Sequence, residues 1–146
     1  MCELVVTRLV AASPETVYSF FTDAERWISW QGVGSEVDPV PGGVLRVRMP
    51  GGERASGRFV ELVPYRRVVF TWGWEGEAPP VPPGSTTVVV ELEPTEEGTL
   101  VRLTHRGLVD PVAVDLHRAG WERYLARLQL RAEGGDPGPD AAALME

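Results

Sequence analysis

Two histidines are the side chains of this sequence whose type and position could do chemistry. His105 ends an apolar alternation in a predicted strand, where a titratable group could serve as general acid, general base or hydrogen-bond anchor. The alternative is a buried histidine with satisfied hydrogen bonds, which is the commoner case. His117 shares a predicted helix face with Trp121, and its alternative is a residue at the helix surface or against the sheet.

The rest of the chain offers no established catalytic pattern. We find no Ser-His-Asp spacing, no paired-carboxylate signature and no metal-ligand cluster. Two histidines and one cysteine cannot supply a typical structural zinc site, so we expect neither a metal nor another cofactor. Cys2 follows the first methionine and is expected to be a frayed terminal residue rather than a nucleophile.

The charge balance argues against a nucleic-acid partner. Among 146 residues, 21 are acidic and 14 basic, every basic one an arginine, and the net charge is -7. Binding to a phosphate backbone needs a positive surface, which this composition does not favour. No apolar run approaches the ~20 residues of a bilayer span, and the first residues do not resemble a signal peptide. We therefore expect a cytoplasmic protein with no membrane span.

The elements that position the candidate residues begin with a strand and two short helices. Residues 3–12 form a β-rich run that stops at Ser13, a predicted N-cap with Pro14 at the first helical position. Thr22 and Glu25 have capping-box spacing and predict the start of a second short helix. That second helix is expected to carry Trp27, Ile28 and Trp30.

Turn residues divide the middle of the chain into strands that predict an antiparallel meander of six or seven members. Residues 77–84 hold four prolines and predict a stiff, non-helical loop. Phe59 and Val60 both favour burial, which indicates a bulge between them. Arg8 lies either on the convex face of the sheet or in the interior, and we favour the convex face. Glu61 would be an interior carboxylate if it shared the face of Phe59, but a surface position is favoured. The predicted strands after the short helices cover residues 44–49, 57–63, 67–74, 85–93 and 99–107.

A long helix closes the predicted fold. Asp110 and Pro111 repeat the cap-and-proline signal, and the helix is expected to end near Glu133. Gly120 in its middle costs about 1 kcal/mol relative to alanine, so a close approach of the short helices, a ligand or a mild kink should explain it. We expect residues 1–133 to form one domain and 134–146 a flexible tail. The face that should meet the sheet carries Val114, His117, Trp121, Tyr124, Leu125 and Leu128.

The dimensions of these elements predict an internal cavity. A helix of about 22 residues is about 33 Å long but ~10–12 Å wide. A seven-stranded sheet is about 34 Å across, so one helix cannot cover it unless the sheet curls and large aromatics or a cavity fill the remainder. Plain core packing is the alternative for every candidate, and Tyr18 and Trp30 could instead fill a small core under the short helices. The candidate ligand-binding residues are Tyr18, Trp30, Phe59, Phe70, Trp72, Trp74, Leu103, His105, Trp121, Tyr124 and Leu125.

In its order of elements and short motifs the chain resembles the START-like (SRPBCC) superfamily, within it the activators of the heat-shock-protein-ninety ATPase and the polyketide-cyclase-like group. The resemblance covers roughly residues 3–130. It implies an α+β helix-grip fold, with a curved six- to seven-stranded antiparallel sheet wrapped around a long C-terminal helix, and a deep apolar cavity. The matching pieces are Ala12-Ser13-Pro14-Glu15-Thr16-Val17-Tyr18, Trp27, Trp30, Pro41-Gly42-Gly43, Gly57, Pro64, Thr71-Trp72, Gly98-Thr99, Leu103, His105, Gly107-Leu108 and Gly120-Trp121.

Three functions remain open at this point, because one fold hosts many activities. The first is binding of a small hydrophobic molecule, aromatic or lipid-like, and the absence of a nucleophile–base pattern favours it. The second is a polyketide cyclase or dehydratase with His105 as its acid/base residue. The third is an interaction protein that stimulates a chaperone ATPase. A homodimer, formed through an exposed strand edge or the proline-rich loop, is also left open.

Overall fold

One antiparallel sheet curved around one long helix makes up most of the structure, a computed structural model that describes residues 2–76 and 81–140. The strands lie in the order β1-β7-β6-β5-β4-β3-β2. The predicted α+β helix-grip fold is confirmed, and the strands number seven because a short β2 pairs with β3. In chain order the elements are β1 (Cys2–Val10), α1 (Pro14–Ser19), α2 (Ala24–Ile28), β2 (Gly34–Val37), β3 (Val44–Arg48), β4 (Arg54–Val63), β5 (Arg67–Trp72), β6 (Thr86–Thr95), β7 (Gly98–Leu108) and α3 (Pro111–Ala132).

Two of the three helices begin where the sequence predicts. The Ser13 side chain accepts a hydrogen bond from the Thr16 backbone N–H, and the Asp110 side chain accepts one from the Ala113 N–H. Each cap is followed by proline at the first helical position, whose missing N–H would have had no helical partner in any case. Local chain chemistry therefore accounts for the starts of α1 and α3.

The start of α2 differs from the predicted capping box. Asp23 is the N-cap, since its Oδ1 accepts from the Arg26 N–H at 2.9 Å. The Thr22 hydroxyl instead donates to the Tyr18 carbonyl at 3.2 Å, at the end of α1. The prediction with Thr22 was wrong because the preceding helix offers its hydroxyl an acceptor and leaves the cap to the carboxylate.

The predicted bulge lies in β4. The pairing of β4 with β5 shifts between Phe59 and Glu61, so that Val60 is the extra residue. Phe59 is buried in the core and Val60 is exposed. Glu61 is at the surface, as expected, and forms an ion pair with Arg67.

Arg8 lies on the opposite face from the one expected. It alternates with the buried Leu4 and Val6, so it shares the face of β1 that meets α3. Its Nε donates to Oε1 of Gln129 on that helix. The expectation of a convex-face arginine was wrong because the helix supplies a polar partner, which removes most of the cost of turning a guanidinium inward.

The segment assigned to a flexible tail makes specific contacts as far as Asp140. Oδ2 of Asp140 accepts hydrogen bonds from the Gly32 N–H and the Tyr124 hydroxyl, each at 2.8 Å. Its Oδ1 accepts from Arg123 at 3.0 Å. Residues 141–146 lie outside the described residues, as do 77–80 of the proline-rich loop. No helix among the residues described is long and apolar enough to cross a membrane.

Candidate functional site

Two neighbouring cavities lie between the first half of α3 and the segments that connect β3 to β4 and β5 to β6. The outer one measures about 520 Å³ and the inner one about 140 Å³. Apolar side chains dominate the outer lining, and acidic residues accompany them. The outer lining comprises Glu53, Trp74, Glu75, Val81, Val109, Asp110, Val112, Ala113, Leu116 and His117.

The inner cavity is surrounded mostly by aromatic rings. Trp74, Leu116 and His117 line both cavities and therefore lie between them. The indole Nε1 of Trp74 donates to Nε2 of His117 at 3.2 Å, which holds this partition in place. The nine residues of the inner lining are Gln31, Met49, Trp72, Trp74, Leu116, His117, Gly120, Trp121 and Tyr124.

The hydrogen bonds of His117 set its protonation state. Its Nδ1 donates to the Ala113 carbonyl at 2.8 Å, which leaves Nε2 as the acceptor for Trp74. Burial lowers the pKa of His117. The imidazole is therefore neutral at pH 7, and a proton on Nε2 would break its bond to Trp74.

His105 is buried behind the inner cavity and lines neither cavity. Trp121 Nε1 donates to its Nδ1 at 3.0 Å, so its Nε2 carries the proton and donates to Thr86 Oγ1 at 2.7 Å. The Thr86 hydroxyl donates in turn to the Trp72 carbonyl at 2.6 Å. Burial, with a smaller contribution from His117, lowers the pKa of His105 to about 3. A proton at Nδ1 would face an N–H group, so His105 is a neutral residue of the core at pH 7.

The structure brings four of the predicted ligand-binding residues together at the inner cavity, namely Trp72, Trp74, Trp121 and Tyr124. Tyr18 packs edge-to-face on Tyr65, with ring centroids 5.6 Å apart, and lines neither cavity. Trp30 lies in the main core, which is continuous beneath the short helices, and its Nε1 donates to the Phe20 carbonyl. The other predicted residues placed in the main core are Phe59, Phe70, Leu103 and Leu125.

Sequence reasoning missed several lining residues. Gln31 and Met49 lie in irregular chain after α2 and β3, and no periodicity marks them. Val112 and Leu116 stand 67% and 69% exposed at the outer cavity, although both are apolar. Their spacing of four residues along α3 is a helical signal that runs beside the main buried face.

Gly120 was singled out in the sequence, and the structure explains it. A Cβ at this position would meet no other atom within 4 Å, so no close approach of protein requires the glycine. Gly120 instead borders the inner cavity. The missing side chain therefore keeps cavity volume open.

An arginine-lined depression at the β2–β3 edge is a weaker candidate for a ligand site than the two cavities. It measures about 280 Å³ and includes Arg46, Arg48 and Arg54. The Arg46 guanidinium donates two hydrogen bonds to the Glu75 carboxylate, the shorter from Nε at 2.7 Å, and these bonds raise the pKa of Arg46. Within residues 2–76 and 81–140, no three His, Cys, Asp or Glu side chains lie close enough to hold a metal ion.

Comparison with known proteins places this geometry in a family. A family model described as "Activator of Hsp90 ATPase homolog 1-like protein" matches residues 11–133. The solution structure of an AHSA1-like protein from Rhizobium etli is 42% identical, covers 95% of this chain and 88% of its own, and has a TM-score of 0.72. No curated protein matches.

Two further solved structures share the fold. The Aha1 dimer from Colwellia psychrerythraea is 26% identical, with a TM-score of 0.79, and the match covers 94% of this chain and all of that one. DynU16, a protein in the dynemicin biosynthetic locus, is 23% identical with a TM-score of 0.81. The match covers 94% of this chain and 49% of DynU16, so this chain spans about half its length.

Proposed function

Because this chain belongs to the family of activator of Hsp90 ATPase homolog 1-like proteins, we propose that it uses the fold's cavity to bind a small hydrophobic molecule, aromatic or lipid-like. The observation that carries the proposal is the pair of adjoining cavities with an aromatic inner end. Sites for small molecules are typically concave, mostly apolar and about 300–1,000 Å³ in volume, a range that includes the outer cavity.

The energetics favour an apolar occupant. Burial of apolar surface contributes about 25 cal/mol per Å², and the wall supplies rings and aliphatic side chains to contact it. The side chains of Trp74 and His117, joined by one hydrogen bond, pack against Trp72 and His105 and separate the two cavities. A ligand that extends from the outer cavity into the inner one would have to displace them.

The geometry gives little support to the enzymatic alternative. A cyclase or dehydratase mechanism needs a group that exchanges a proton with the substrate. His105 lies behind the cavity wall, with both ring nitrogens engaged by Trp121 and Thr86. The chaperone-ATPase alternative rests on the family's description alone, and an ATPase assay with the cognate chaperone decides it.

Filling the inner cavity at Gly120 should weaken binding. We expect Gly120→Leu to raise the Kd of N-phenyl-1-naphthylamine, a neutral dye, by about tenfold or more, because its side chain enters the space that a ring of the dye would occupy. Gly120→Ala should give a smaller increase, while helix propensity raises its stability by about 1 kcal/mol. Dye fluorescence and urea denaturation measure the two effects.

Ala119→Leu is the matched control for that series. It adds the same side chain on the same helix at an exposed position, so dye affinity should stay at the wild-type value. Equal Kd values for wild type, Gly120→Leu and Ala119→Leu would show that the dye does not enter the inner cavity. A wild-type protein that binds none of a panel of lipids and aromatic metabolites would contradict the proposed function itself.

We also propose that the chain forms a homodimer, as the Colwellia psychrerythraea relative does. The four-residue strand β2 is an edge of the sheet and pairs only with β3. The backbone N–H and C=O groups on its other side could pair with a second chain. Light scattering coupled to size-exclusion chromatography should give twice the 16.0 kDa mass of one chain. A mass that stays at one chain up to about 100 μM, where weak dimers with Kd near 1 μM would be saturated, would rule this out.

A further inference from the structure

We propose that the inner cavity recognises a compact, ring-sized group that carries a neutral hydrogen-bond acceptor, such as a ketone or quinone oxygen. This inference rests on the proposed function and specifies the chemistry of the ligand's inner end. It follows from the size of the cavity, from the hydrogen-bonding groups around it and from its charge.

The volume suits a single ring. The inner cavity measures about 140 Å³, and an engineered apolar cavity of about 150 Å³ in another protein binds benzene. Trp72 and Trp121 form adjacent parts of the wall, with ring centroids 5.3 Å apart. Gly120 adds open space on the helix side. A six-membered ring therefore fits, and longer substituents would point to the outer cavity.

The five tryptophans differ in one hydrogen bond. Four indole N–H groups have acceptors, and Trp72 Nε1 is a buried donor with none in the part of the chain that the structure describes. Trp72 is 1% exposed and lines the inner cavity. Buried donors are nearly always paired in native proteins, so we take the unpaired N–H of this cavity-lining residue as the group that a ligand in the cavity would satisfy. The four satisfied pairs are Trp27 with Gln31, Trp30 with the Phe20 carbonyl, Trp74 with His117 and Trp121 with His105.

Gln31 adds a second donor at the same cavity. An indole N–H can only donate, so the Gln31 atom that Trp27 contacts at 2.9 Å must be the carbonyl Oε1. The amide Nε2 is then the end that is left to serve a ligand. The imidazole nitrogens that could accept are taken, Nε2 of His117 by Trp74 and Nδ1 of His105 by Trp121. Donors are thus available here and ring nitrogens are not, so the ligand has to supply the acceptor.

The lining of the cavity opposes an anionic group. None of its nine lining residues is a lysine or arginine, and His117 is neutral, so a carboxylate would be buried without a counter-charge. The aromatic wall could hold a quaternary ammonium ion by cation–π attraction. Two hydrogen-bond donors at the same wall oppose a cation, and the balance favours a neutral oxygen.

Three small probes separate these chemistries on the full-length protein. Cyclohexanone carries the acceptor, methylenecyclohexane has the same ring and shape without it, and tetramethylammonium represents the cation. Kd values come from titrations followed by ¹H–¹⁵N NMR of the five indole N–H groups. We expect cyclohexanone to move the Trp72 Nε1–H proton signal downfield as it accepts the hydrogen bond, and methylenecyclohexane to leave it without that shift. The shift is measured on the wild-type protein, and a substitution is needed only to assign the Trp72 indole signal.

A substitution tests the same point by affinity. In Trp72→Phe, the preference for ketone over alkene, taken as the ratio of their Kd values, should fall about fivefold relative to wild type. The ratio corrects for any change in cavity shape, since both probes experience it. Trp30→Phe removes an indole whose N–H is already bonded and that lines neither cavity, so it should keep the wild-type ratio.

The outcomes distinguish this inference from the proposed function. An unchanged ratio in Trp72→Phe, or equal indole shifts with both ring probes, overturns the acceptor site while ligand binding stands. Preferential binding of tetramethylammonium overturns it in favour of a cation cage. If the dye binds and neither ring probe does, the inner cavity is not the ring site. If neither the dye nor any probe binds, both proposals fail.

Discussion

Lowering the pH from 7 to 4 is expected to reduce the free energy of unfolding by about 3 kcal/mol through His105 alone. Burial holds the pKa of this imidazole at about 3, against an ordinary value of 6.5. The unfolded chain therefore takes up a proton below pH 6.5, while the folded protein does so only near pH 3. The contribution is fully present above pH 6.5 and is lost progressively as the pH falls towards 3. His117, whose pKa is also lowered, acts in the same direction.

A non-titrating substitute isolates this effect. In His105→Gln the amide oxygen can accept from Trp121 and the amide nitrogen can donate to Thr86, which preserves both hydrogen bonds of the wild-type ring. Urea denaturation at pH 7 and pH 4 should show a stability loss for the variant that is smaller by about 3 kcal/mol than the wild-type loss. Equal losses in both proteins would mean that His105 is not held neutral by its surroundings.

The second large effect is expected from removal of the Asp140 side chain, which should lower the free energy of unfolding by about 2–3 kcal/mol. Asp140→Ala leaves the Gly32 N–H and the Tyr124 hydroxyl without their acceptor and Arg123 without its carboxylate. The expected value lies below that of a fully buried pair because the Arg123 side chain is 29% exposed. Thermal or urea denaturation at pH 7 measures it.

Asp136→Ala provides the control from the same segment. Its carboxylate is 77% exposed and pairs with Arg131 at 3.2 Å, so its loss should cost less than about 1 kcal/mol. If Asp140→Ala also lost less than about 1 kcal/mol, residues 134–140 would not be anchored to the domain.

The pKa of Asp140 is lowered on balance: burial raises it, but hydrogen bonds from Gly32, Tyr124 and Arg123 outweigh that effect. Its contribution is therefore present above its ordinary pKa of 3.8 and is lost as the pH falls below that value.

Local features of the sequence predicted most of the fold. Caps at Ser13 and Asp110, turn residues between strands and the bulge at Val60 depend on a few neighbouring residues. The apolar alternation of β5 and the helical repeat of α3 likewise identified Trp72, Trp121 and Tyr124 as members of one wall. The cavity itself followed from the mismatch between a narrow helix and a wide sheet.

The tertiary structure decided which polar groups meet. Arg8 bonds Gln129 across 121 positions of the chain and Gly32 bonds Asp140 across 108, and no periodicity links such partners. His105 looked like a candidate acid or base until packing placed Trp121 and Thr86 on its two nitrogens. The unpaired N–H of Trp72 could not be predicted from the sequence either, because it depends on which segments pack around the indole. Sequence periodicity determines the face of an element on which a side chain lies, whereas the atoms opposite that face come from distant segments brought together by packing.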